Sequence, residues 1–191
     1  MIARPSAPRI APLTPEEITP TAQVILDSVT ALGAAPRNIY TTLVRNEGLT
    51  RKWIVFGAKV LSGGKIPIRD RELLILRTGW NCQSEYEWGQ HVRISLDIGI
   101  TQAEVDRVAL GPQAGWTGFE RALLTAADEL HFDACLSDET WSALADRYNT
   151  EQLIELPMLV GQYHLVAMTL NTLGVPLDEG TPRFPSDAAN R

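Results

Sequence analysis

Glu72, Glu87 and His91 are the residues of this chain whose types and spacing best suit proton chemistry. They fall in the stretch RDRELLILRTGWNCQSEYEWGQHVRISLDIG, residues 69–99. Ser84, Glu87, Trp88, His91, Ser95 and Ile98 recur at steps of three and four residues, so on a helix they share one side. Glu87 and His91 are four apart, close enough on a helix for carboxylate and imidazole to touch. A carboxylate beside an imidazole fixes its tautomer and raises its basicity, which is what a general acid–base pair requires. Structural readings compete with this one. Ser84 and Glu87 also have the capping-box spacing, so Glu87 can close the helix start, a role compatible with the chemical one. His91 can be a hydrogen-bonded core histidine near Trp88, and Trp88 itself is either core or a substrate platform.

A second carboxylate comes from the segment before. Glu72 lies next to the apolar line of Leu73, Leu76 and Trp80. If the two helices pack as an antiparallel pair, Glu72 approaches His91 or Glu87, and like charge with burial raises the pKa of one carboxyl. Otherwise Glu72 pairs with Arg69 or Arg71 in an ordinary charged first turn. Arg69, Arg71 and Arg77 are candidates to grip a substrate carboxylate bidentately, and spacing does not choose among them. Cys82 precedes the second helix, but Glu85 stands where a CxxC pair needs its other cysteine. Cys135 reads as a lightly buried thiol. His164, beside Tyr163, either completes a pocket or fills a core or interface position. His91, His131 and His164 with nearby acids are numerous enough for a metal centre. No recognised ligand spacing joins them, so neither a metal nor a cofactor is expected. Walker, Rossmann and GxSxG motifs are absent.

The elements that must position these groups read as helices throughout. Residues 1–13 form a Pro-, Ala- and Arg-rich arm, either mobile or laid across a neighbouring subunit. Thr14 and Glu17 form a capping box ahead of a first helix, whose start Pro20 can delay. NIYTTLVRNEGL predicts a second helix and TRKWIVFGAKVLSGG a third, with Trp53, Phe56 and Val60 on one side. A helix begins after Pro67 and runs to Trp80, and the next spans Ser84 to Ile98 and closes at Gly99. Thr101 and Glu104 cap a short helix, Phe119 to Leu130 lies in an amphipathic one, and Ser137 caps another. Asn149 and Gln152 open a long apolar helix that contains Pro157. Sustained strand alternation is absent; KWIVFGAKV is the best strand candidate, and its helical period is as good. The tail from residue 176 is polar and rich in Pro and Gly.

Size and charge narrow the function. The 191 residues suffice for one domain, placed at 14–175, with its own core. A net charge of -6 without a Lys or Arg run argues against nucleic-acid binding. Glu155, Gln162 and His164 interrupt the long apolar helix, which therefore reads as core or interface rather than membrane span. The N-terminus makes a poor signal peptide, and two distant cysteines read more simply as free thiols than as a disulfide, so a cytoplasmic setting is expected.

The block RDRELLILRTGWNCQSEYEWGQHVRISLDIGITQAEVDRV and the C-terminal LVGQYHLVAMTLNTLGVP resemble the carboxymuconolactone decarboxylase and AhpD-like superfamily, over about residues 35–175. The resemblance implies an all-α AhpD-like domain of about seven to nine helices that assembles as a trimer or hexamer. Against the alkylhydroperoxidase branch, Ser84 and Glu87 stand where the two redox cysteines belong, while His91 and Glu72 match its histidine and upstream glutamate. An ordinary AhpD-type disulfide reductase is thereby excluded. The decarboxylase branch needs no cysteine pair. It implies a cofactor-free acid–base lyase, decarboxylating or isomerising a small carboxylated lactone or keto acid of aromatic catabolism. Glu72, Glu87 and His91 are then catalytic, and Ser84, Trp88, Arg69, Arg77 and His164 bind substrate. The alternatives are a peroxidase-associated redox protein and a noncatalytic oligomeric binding protein.

Overall fold

A computed structural model describes residues 3–31 and 37–185. The described residues form nine α-helices, a short 3-10 turn and no strand. The helices are α1 (Pro20–Ala31), α2 (Asn38–Leu43), α3 (Glu47–Ser62), α4 (Ile68–Asn81), α5 (Glu85–Asp97), α6 (Gln102–Leu110), α7 (Gly118–Phe132), α8 (Asp138–Ala145) and α9 (Thr150–Leu173). Local chemistry sets most of their ends. The Thr101–Glu104 box closes in both directions, Ser137 Oγ accepts from the Thr140 N–H, and Asn149 and Gln152 bond each other's backbone N–H. The expected second helix divides in two, because the Asn46 side chain accepts from the Leu49 N–H and starts α3 there. The strand candidate KWIVFGAKV lies wholly within α3.

Contacts divide the chain into two compact units. The first holds residues up to Gly64 together with Thr169–Gly180. Its core gathers Ala22, Ile25, Leu26 and Val29 of α1 with Val44 and Ile54, against which Leu13, Ile18, Tyr40 and Trp53 pack. The described part of the N-terminal arm lies along its own chain. Arg9 N–H donates to the Leu173 carbonyl at 2.8 Å, and Leu13 N–H donates to the Thr41 carbonyl at 3.0 Å. In the same unit Asn38 N–H donates to the Asp178 carboxylate at 2.9 Å, so the segment read as a polar tail is tied down.

The second unit holds Lys65–Met168 and the chain from Thr181 onward. Helix α4 lies at its middle, against α5, α6 and α7. Four consecutive residues, Leu73 to Leu76, are buried, which requires neighbours on every side of the helix. Leu73 and Leu76 join Trp88, Val92, Val105, Val108, Trp116 and Leu124 in one apolar cluster, each large side chain worth roughly 1.5–3 kcal/mol of burial. Phe184 completes it from the C-terminal strap, edge-on to Trp80 with ring centroids 5.0 Å apart and 5.6 Å from Trp88. Helix α9 is long and apolar enough to cross a bilayer, yet Leu156, Leu159, Val160 and Ala167 are buried within the fold. It runs on through Pro157, which supplies no N–H to the helix ladder.

Candidate active site

Helices α4 and α5 bring Glu72 and His91 together. His91 Nδ1 lies 2.7 Å from Glu72 Oε2, and the Arg71 guanidinium donates to Glu72 Oε1 from Nε at 2.9 Å and Nη2 at 2.8 Å. Burial pushes the Glu72 carboxyl up, but His91 and Arg71 together outweigh it and hold the group below the usual carboxylate range. An ionised carboxylate only accepts, so His91 Nδ1 is the donor, and Nε2 is the nitrogen left for proton exchange. Tyr163 of α9 meets the imidazole edge-on, with centroids 4.9 Å apart.

Glu87 has the opposite environment. It is 2% exposed, against 0% for Glu72 and 6% for His91, and neither of its oxygens has a hydrogen-bond partner. Burial alone pushes its carboxyl well above the ordinary value, which favours the protonated form. The capping box expected of Ser84 and Glu87 does not form: the Ser84 side chain caps nothing, and its Oγ is buried without a partner. Nor is Glu87 the partner of His91; that place belongs to Glu72. Glu87 points instead toward α4, where its Oε1 lies 3.2 Å from the position a Cβ on Gly79 would take. Gly79 thus leaves the room that the carboxyl occupies. The surroundings of two carboxyls on adjoining helices therefore push them in opposite directions, the arrangement that separates base from acid.

The remaining candidates divide. Trp88 is core, tilted against Trp80 at 5.6 Å. Arg69, expected to grip substrate, pairs with Glu104 and with Glu120 at 2.7 Å. Arg77, expected likewise, binds Asp128 through Nε at 2.6 Å and Nη2 at 2.9 Å and also donates to the Val108 carbonyl. Both guanidiniums are thus committed to partners 31 to 51 residues away, separations that carry no local signal. Arg71, which spacing left undistinguished, is the arginine at Glu72. His164 does not join the Glu72–His91 pair through any hydrogen bond. It meets His131, Nε2 to Nδ1 at 2.9 Å, and Cys82 Sγ lies 3.9 Å from the same His131 nitrogen. Sequence reasoning missed this trio, because Cys82 follows α4 while His131 and His164 sit on α7 and α9.

Comparison with known proteins shows what this fold is similar to. No curated protein sequence matches the chain significantly. The described helices superpose on a cysteine-to-alanine form of the debrominase Bmp8 in complex with 2,3,4-tribromopyrrole, at 17% identity and a TM-score of 0.73, covering 89% of this chain and 91% of that one. An uncharacterised peroxidase-related protein with an alkylhydroperoxidase AhpD core, from Ralstonia eutropha JMP134, matches at 19% identity and a TM-score of 0.73, covering 93% of this chain and 95% of that one. Another peroxidase-related protein, from Silicibacter sp. TM1040, reaches a TM-score of 0.79 at 9% identity, covering 95% and 97% of the two chains. Residues 44–129, which include Glu72, Glu87 and His91, match the sequence model of the carboxymuconolactone decarboxylase family. Over nearly its whole length the chain is thus similar in fold to AhpD-like proteins, and its middle segment is similar in sequence to the carboxymuconolactone decarboxylase family.

Proposed function

We propose that the protein is a cofactor-free acid–base lyase that decarboxylates, or in a related reaction isomerises, a small carboxylated lactone or keto acid. The observation that carries this reading is the pairing of Glu72 with His91 beside a buried, unpartnered Glu87 on the adjoining helix, with the Glu72 carboxyl held down and the Glu87 carboxyl pushed up by their surroundings. A buried carboxyl without a hydrogen-bond partner costs about 1–3 kcal/mol, a cost that buys nothing for the fold. Decarboxylation breaks the C–C bond to the substrate carboxylate, releases CO2 and leaves the bonding pair on carbon as an enolate. The carbon then takes a proton from the site, and the conjugate base regains one from water. His91, oriented through Nδ1 by Glu72, and the Glu87 acid are the groups suited to that transfer. The debrominase neighbour holds a small halogenated ring, which supports a compact cyclic substrate.

Two further parts of the reading concern setting. Ile154, Met158, Leu165 and Met168 stand exposed on α9, an apolar surface suited to burial between subunits of a homo-oligomer, trimeric or hexameric. Cys82 and Cys135 form no disulfide, in keeping with a cytoplasmic location. One observation favours a second reading, a redox role: the Cys82 thiol is only part-buried and lies beside His131. Turnover that survives thiol alkylation argues against it.

The test is CO2 release across a panel of carboxylated lactones and β-keto acids, with His91→Gln beside the wild-type chain. Turnover by wild type, reduced by about 10²–10⁴-fold in the variant with assembly intact, supports the reading. A variant as active as wild type, or no turnover on any member of either substrate class, overturns it.

A further inference from the structure

The Cys82–His131–His164 trio is separate from the acid–base pair in both its residues and its chemistry. Its donor atoms, one sulfur and two ring nitrogens, all lie within 4.8 Å of one another. Three elements supply them: the turn after α4, the last turn of α7 and the middle of α9. All three residues are partly exposed, so an ion has a way in.

The hydrogen bonds already present prepare one ligand. His164 Nδ1 lies 2.9 Å from the Val160 carbonyl, which only accepts, so Nδ1 carries the proton. The Nε2 lone pair is then directed at His131 Nδ1, 2.9 Å away. A backbone carbonyl holding the distal ring nitrogen is the usual outer support of a metal-binding histidine. Without an ion, His131 must donate Nδ1–H to that lone pair. With an ion between them, His131 shifts its proton to the other ring nitrogen and both histidines present lone pairs.

The spacing suits a tetrahedral site. Bond lengths of about 2.0–2.1 Å to nitrogen and about 2.3 Å to sulfur set donor separations of roughly 3.3–3.6 Å. The observed separations, 2.9 Å for His131–His164 and 3.9 Å for Cys82–His131, fall on either side of that range. Adjustments of roughly half an ångström bring these two separations to it, and Cys82 and His164 already lie within 4.8 Å of each other. Two imidazoles and a thiolate select a borderline-soft divalent ion, zinc above all, over magnesium or calcium. Three protein ligands leave the fourth position for water or an exogenous ligand.

We infer that Cys82, His131 and His164 form a zinc-class metal site with one exchangeable coordination position. The site rests on none of the residues assigned to acid–base chemistry, so it stands or falls apart from that assignment.

Cobalt(II) is the probe, because it takes tetrahedral zinc sites and is coloured. The full chain, reduced and stripped with a chelator, is titrated with cobalt(II). Saturation at one cobalt per chain is expected, with a near-ultraviolet thiolate-to-cobalt charge-transfer band and intense visible bands of tetrahedral geometry, all displaced by zinc. Cys82→Ser should remove the charge-transfer band. His164→Gln should weaken cobalt binding by at least about tenfold, a loss of the size that follows deletion of metal-site contacts. Cys135→Ser and His91→Gln should leave the spectrum as in wild type. If the wild-type chain gives no thiolate band, or if the band persists in Cys82→Ser or disappears in Cys135→Ser, the site is not as described. The wild-type titration decides this even if a variant fails to fold.

Discussion

Glu87→Gln isolates a single buried proton. In the folded chain the Glu87 carboxyl is pushed well above its ordinary value of 4.5 by burial, whereas in the unfolded chain it titrates normally. Between those two values the folded state holds one proton more than the unfolded state. Stability contributed by Glu87 is therefore fully present below about pH 4.5 and declines as pH rises toward the folded value. The slope of that decline is about 1.4 kcal/mol per pH unit. Glutamine keeps the shape and has no proton to lose, so its profile lacks this slope. As pH rises above about 4.5 the wild-type chain should therefore lose stability steadily relative to Glu87→Gln, until the folded carboxyl ionises. The buried amide lacks a partner as the buried carboxyl does, so those costs largely cancel and any remainder is an offset independent of pH. The difference between the two curves should therefore change in favour of Glu87→Gln as pH rises. The assay is urea unfolding followed by far-ultraviolet circular dichroism at a series of pH values and one protein concentration. Every other titrating group is common to both chains and cancels in the difference. Parallel profiles would refute the argument, since they would mean that Glu87 is ionised in the native state.

Two other substitutions probe the surroundings. Arg71→Leu leaves the buried Glu72 carboxylate with His91 alone, and should cost toward the low end of about 3–5 kcal/mol in urea unfolding. Because the folded pKa of Glu72 is depressed, its contribution is present above pH 4.5 and lost as pH falls through the folded value. Arg71→Leu should consequently move the acid unfolding midpoint to higher pH, and an unchanged midpoint would show that Arg71 contributes little. Gly89→Ala would gain about 1 kcal/mol in an open helix, but here the new Cβ falls 2.2 Å from the Pro182 carbonyl oxygen and 2.3 Å from Thr181 Cγ2. The strap must lift, Phe184 leaves Trp80 and Trp88, and tryptophan emission should shift to the red as the C-terminal segment becomes protease-sensitive. A more stable chain with unchanged emission would contradict this.

Much of the helical framework is legible in the sequence because helix ends carry their own chemistry. Thr101 with Glu104, Ser137, and Asn149 with Gln152 each mark a start that the fold uses. The same rule misleads at Ser84 and Glu87, where an acid at the capping position turns inward and leaves the helix end uncapped by any side chain. Helix periodicity places Glu87 and His91 on one face, and it is blind to which carboxylate the imidazole takes. That depends on the packing of α4 against α5, a tertiary fact. Arg69 and Arg77 fail for a related reason: a guanidinium takes whichever carboxylate the fold delivers, and Glu104, Glu120 and Asp128 arrive from distant helices. The Cys82, His131 and His164 trio lies at the far end of that scale, since the pairs that touch are separated by 49 and 33 residues.

Both compact units borrow their closing pieces from the end of the chain. The first takes Thr169–Gly180, and the second takes the residues from Thr181, including the Phe184 that seals its tryptophan cluster. A ribosome delivers these pieces after the rest of both units. Neither unit can therefore finish folding until they have emerged, although the residues of α1 to α8 are already synthesised. Contacts such as Arg9 with Leu173 and Asn38 with Asp178 span most of the chain, and closing loops of that length is slow. Until the Phe184 segment arrives, the apolar faces of α4 and α5 lack part of their cover, a state open to association with other chains. The protein's yield in a cell should thus depend on the integrity of the segment around Phe184 as much as on its core, and a stop codon placed a few residues before Phe184 would be felt first as lost solubility.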